Sequence, residues 1–68
     1  MEIVWVVVTE DHGVLDEARV FARESAALRN FREIADEIRT NDPGTYEENE
    51  YAAWTDDFTV AIYEREVQ

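Results

Sequence analysis

Two residues of this chain could serve a nucleophile-and-base reaction, Ser25 and His12, and each is the sole residue of its type. Such chemistry needs a nucleophile held beside an oriented base. The spacing suggests no pair, because His12 falls in a turn and Ser25 near the start of a helix. Carboxylate pairs suited to proton transfer, such as Glu47-Glu48 and Asp56-Asp57, are abundant in a chain with seventeen Asp and Glu, so they carry little information. The oxygen-rich stretches Asn41-Asp42-Pro43-Gly44-Thr45 and Glu47-Glu48-Asn49-Glu50 depart from the calcium-loop pattern. Without Cys there is neither a disulfide framework nor a thiolate zinc site. Gly13 and Gly44 are the only glycines, too few for a phosphate-binding loop. The residues therefore predict a non-enzymatic protein with no metal and no cofactor.

What remains is charge. The net charge is −11, with six arginines and no lysine. Residues 1–22 carry −4, residues 23–39 balance to zero, and residues 40–68 carry −7. Such a surface repels nucleic acid and anionic membranes and attracts basic surfaces. Between residues 42 and 57 lie Asp42, Glu47, Glu48, Glu50, Asp56 and Asp57, interleaved with Tyr46, Tyr51 and Trp54 and without a basic residue. Carboxylates beside aromatic rings suit docking to an Arg- and Lys-rich groove. Glu64 and Glu66 share a strand face about 6–7 Å apart, comparable to neighbouring phosphates along a nucleic-acid strand. The partner-binding set is thus Asp42, Glu47, Glu48, Glu50, Tyr51, Trp54, Asp56, Asp57, Glu64 and Glu66. The competing reading is a solvated loop with ordinary surface charge. The arginines are expected to pair within the helix, Arg29 with Glu33 and Arg32 with Asp36, which disfavours direct nucleic-acid binding.

The elements that must position these groups fit one domain, residues 1–68. Residues 3–8, Ile-Val-Trp-Val-Val-Val, read as a central strand apolar on both faces. Gly13 breaks it with a turn. Residues 14–22 read as a strand in preference to a helix, with Ala18, Val20 and Ala22 sharing a face with Asp16. Ala27, Leu28, Phe31, Ile34, Ala35 and Ile38 recur at helical spacing between about Glu24 and Arg39. Thr45-Tyr46-Glu47-Glu48 matches a capping box and predicts a short second helix through about Trp54. Phe58, Val60 and Ile62 alternate with Thr59, Ala61 and Tyr63 in a final strand.

The expected fold is α+β: a three-stranded antiparallel sheet, order 2-1-3, packed by one long helix. One helix leaves the second face bare. The segment with Tyr46, Tyr51 and Trp54, a second copy of the chain (a homodimer), or another partner could cover it. No apolar run approaches a membrane span, and the start lacks the features of a secretory signal, so a cytosolic protein is expected.

In Asp42, Glu47, Glu48, Glu50, Asp56, Asp57, Glu64 and Glu66 the chain resembles small acidic phage-encoded inhibitors of the anti-CRISPR and DNA-mimic kind. The likeness is one of character, without a diagnostic motif, and covers about a third of the chain. It implies a non-catalytic protein that occupies the basic nucleic-acid-binding site of a host defence complex in the host cytosol. The order of elements, with Val20-Phe21-Ala22 leading into Glu24-Ser25-Ala26, is also similar to small domains of haloarchaea and their viruses. That likeness implies a regulatory or structural role and acidity as salt adaptation. An antitoxin or subunit neutralising a basic protein shares the electrostatics of the inhibitor.

Overall fold

A computed structural model describes residues 2–67. The chain runs β1 (Glu2–Asp11), β2 (Val14–Phe21), α1 (Glu24–Asn41), β3 (Glu47–Glu48), β4 (Ala52–Trp54) and β5 (Phe58–Val67). All pairings are antiparallel, in one five-stranded sheet of order β2-β1-β5-β4-β3. The expected three-stranded sheet is therefore corrected, and so is the short second helix. Its residues form the β3–β4 hairpin, which lengthens the sheet along the free edge of β5.

The cause is local. Asp42 caps the turn after α1: its carboxylate accepts the backbone N–H of Thr45 at 3.3 Å and also the Thr45 hydroxyl. The hydroxyl needed for a helix cap is thus already committed, and it also accepts the N–H of Asp56 at 3.1 Å. Asn49 Oδ1 then accepts the N–H groups of Tyr51 (2.9 Å) and Ala52 (2.8 Å), which tightens the hairpin turn.

The β1–β2 connection is a two-residue turn in which His12 (φ 53°) and Gly13 (φ 79°) are both left-handed. Two positive φ values match the right-handed twist of the flanking strands, which favours this hairpin. A bulge opposite Thr9 and Glu10 adds a residue to β2. Asp16 therefore leaves the face of Ala18 and Val20 and turns toward Thr9, whose hydroxyl reaches Asp16 Oδ2 at 3.4 Å.

Val7, Phe31, Ala27, Ala35, Ile38, Ala53 and Val60 form the buried core, with Trp5, Phe21, Ile34, Tyr46, Phe58 and Ile62 packed around it. Register puts Trp5, Val7 and Thr9 of β1 beside Glu64, Ile62 and Val60 of β5, under the helix. Val4, Val6 and Val8 point the other way, beside Arg65, Tyr63 and Ala61. The hairpin does not fold back over that second face: Tyr46 packs into the core beneath α1, and β4 extends the sheet in its own plane. Tyr51 stays 61% exposed.

Candidate functional site

The ten sequence-selected residues do not make one ridge. β1 and β5 run antiparallel over their full lengths, so register places each group along the 41 Å long axis of the molecule. Asp56 and Asp57 fall at the end where β1 turns into β2. There Asp57 meets His12: the carbonyl of Asp57 accepts the N–H of His12 at 2.7 Å, and the ring Nε2 lies 3.3 Å from Oδ1. His12 Nδ1 lies 2.6 Å from Asp11 Oδ1. This imidazole thus ties two turns together, and Ser25, in the first turn of α1, belongs to the other end of the sheet. Asp42 is committed to its turn. Glu47 sits opposite Trp54 on the face away from α1. Glu48 accepts the Tyr46 hydroxyl at 3.2 Å. The pKa of that hydroxyl is raised, first by burial and then by the charge and hydrogen bond of Glu48.

Three of the ten do converge. Glu50, Tyr51 and Glu64 line an open groove of about 290 Å³ together with Trp5, Glu24, Leu28 and Ile62, and with Tyr63 at its margin. The elements responsible are distinct. Register sets Glu64 beside Trp5 on the helix side of the sheet. The β3–β4 turn carries Glu50 and Tyr51 to the level of Ile62, whose N–H donates to the carbonyl of Tyr51 at 2.9 Å. The first turn of α1 supplies Glu24, and its apolar stripe supplies Leu28. The result is an apolar, partly aromatic floor with three carboxylates on its rim and no basic residue in its lining. Glu66 extends the acidic row beyond the groove, beside Ile3 on the same face.

A guanidinium suits these walls. It stacks on an aromatic face, its aliphatic stem covers apolar surface, and its planar fork meets carboxylates in pairs. The groove is shallow and at the small end for a small-molecule pocket, and better matches one long side chain. Among the described residues, no group of three His, Asp or Glu converges as metal ligands.

The helix arginines behave differently from expectation. Asp36 is taken by Arg39 at 2.8 Å, one helical turn away, and not by Arg32. Arg29 and Arg32 make no ion pair among the described residues. Trp5, Glu24, Leu28 and Ile62 escaped the sequence-based set because each reads as a core or helix-start residue. The one available signal was that Trp5 and Glu64 fall on matching faces of adjacent strands.

No protein-family model, curated protein or solved structure matches the chain.

Proposed function

We propose that this protein is a non-catalytic binding module that presents acid to the basic site of a nucleic-acid-binding protein, as a DNA-mimicking inhibitor of a host defence complex would do in the cytosol. The observation that carries the reading is the groove: Glu24, Glu50 and Glu64 surround an apolar floor of Trp5, Leu28, Tyr51 and Ile62. Carboxylates alone would give steering without grip. Apolar and aromatic contacts beside them supply the buried anchor that a protein interface needs. Glu66 continues the row at roughly phosphate-like spacing, which favours a partner whose basic site normally follows a nucleic-acid backbone.

A second reading draws on a different observation: acidic groups occupy both ends of the long axis, Asp11, Asp56 and Asp57 at one and Glu2, Glu64 and Glu66 at the other. That distribution suits a salt-adapted domain of regulatory or structural role.

One salt series separates the two. As a mimic, the chain is folded at about 0.1 M salt. It captures a basic partner that duplex DNA displaces, and it releases that partner as salt screens the contact. A salt-adapted domain instead unfolds at low salt and gains stability in molar KCl. A partner held undiminished at high salt and in excess DNA overturns the mimicry.

A further inference from the structure

The face of the sheet turned away from α1 is the largest feature that the groove leaves unused. Its centre is formed by Val4, Val6 and Val8 of β1, Ala18 and Val20 of β2, Ala61 and Tyr63 of β5, and Ala52 and Trp54 of β4. A third of the chain's residues are charged, yet none of these nine is. The charged residues on this face sit at its ends and far edge, Glu2, Glu10, Arg65 and Glu47, although the Arg65 guanidinium reaches back over the Tyr63 ring, 4.9 Å from its centroid. Val20 is 67% exposed and Tyr63 43%. A two-layer domain whose second face met only water would alternate polar residues there. This one places three valines in β1, a strand paired on both sides.

We propose that a second copy of this chain closes the face, as a two-fold sandwich with the helices outermost. Three observations select a copy of itself over another partner. The centre of the patch is built from valine and alanine side chains, flanked by Tyr63 and Trp54, and such a surface interlocks with its own image at the usual spacing of about 10 Å between packed sheets.

Its extent is also right. Three long strands at about 4.8 Å spacing, with two short ones beside them, give a projected footprint of roughly 500 Å². Exposed Leu15 and Val67 extend the apolar surface on the same face, toward the roughly 600 Å² per partner at the lower limit of stable interfaces. The monomer, moreover, has a thin core: Val7 and Val60 are its largest fully buried side chains. Domains of this size commonly gain stability by oligomerising.

Charge fixes the orientation. Arg65 lies at the level of Val4 on β5, and Glu10 lies at the opposite end of β1. A two-fold axis across the strands brings Arg65 of each copy over the region of the other's Glu10 and Thr59. An axis along the strands would set Arg65 over valine.

Sedimentation equilibrium of the full chain, from about 1 µM to several hundred micromolar, is the test. The expected mass rises from 8.0 kDa toward twice that value. The dimer tightens with added salt, because screening weakens repulsion between two chains of charge −11. That is opposite in sign to binding at the acidic groove. Val20→Lys and, separately, Tyr63→Lys keep the circular dichroism spectrum and stay at 8.0 kDa. The double change Glu50→Arg, Glu64→Arg, on the other side of the sheet, dimerises at least as well as the wild type. A wild type that stays monomeric throughout overturns the proposal and leaves the face to a different partner. Dimers of undiminished strength in both lysine variants overturn it as well.

Discussion

Reversing Glu50 and Glu64 to arginine together lowers affinity for an oligo-arginine peptide by about 30- to 1,000-fold and leaves the fold intact. Both side chains are exposed and line the same groove. Neither makes an ion pair among the described residues, so no internal contact is lost. Each reversal removes an attraction and adds a repulsion at the bound guanidinium. At contact distance near a protein surface, two such changes are worth about 2–4 kcal/mol, and each 1.4 kcal/mol is tenfold. Asp56→Arg with Asp57→Arg makes the same change in net charge at the far end of the sheet, and screening over that distance leaves only a few-fold effect. Isothermal titration calorimetry of the three proteins, with thermal midpoints as a fold control, reads the difference. Equal losses in the two double variants would mean that net charge, and not the groove, governs binding.

The largest expected effect on stability is that of Phe31→Ala. Phe31 is 7% exposed and lies at the centre of the helix stripe that meets Val7, Ala53 and Val60. Truncating a buried phenylalanine costs about 3–5 kcal/mol through lost transfer energy and the cavity left behind. A domain of this length has a total stability of about 3–10 kcal/mol. The buried residues one turn before and after it are alanines, Ala27 and Ala35, too short to fill the space. The variant is therefore expected to be largely unfolded or to melt near room temperature, as read by urea titration at 25 °C. A loss under 1 kcal/mol would show that the helix does not close the core in the way described.

Much of this architecture was legible in the residues. The stripe from Ala27 to Ile38 placed α1, and alternation from Phe58 to Tyr63 placed β5. The unbroken apolar run at residues 3–8 marked β1, a strand paired on both sides, but the middle of the five-stranded sheet is β5. What failed has local causes. Thr45 with Glu48 reads as a helix cap, but Asp42 reaches Thr45 first and Tyr46 engages Glu48, so neither group is free to cap. β3 and β4 have two and three residues, too short to show a period. The bulge in β2 inverted Asp16 because no sequence pattern marks an extra residue in a ladder.

The site was legible only in part. Acid content drew attention to residues 42–57, yet proximity in sequence was a poor guide to proximity in space. Asp56-Asp57 and Glu50-Tyr51 are separated by the length of β4, the first pair at one end of the sheet and the second near its middle. Glu64 joins Glu50 only because β5 lies between β1 and β4. The floor came from Trp5 and Leu28, residues whose apolar character had already been assigned to the core.

Docking at the groove lined by Glu24, Glu50 and Glu64 can be checked at residue resolution. In a two-dimensional ¹H–¹⁵N spectrum of the labelled protein titrated with oligo-arginine peptide, saturable shifts are expected at Glu24, Glu50, Tyr51 and Glu64 and at the Trp5 indole N–H. Asp11, His12 and Asp57 stay nearly still. Shifts spread evenly over both acidic ends, or centred on the β1–β2 turn with the Trp5 indole unmoved, would contradict it.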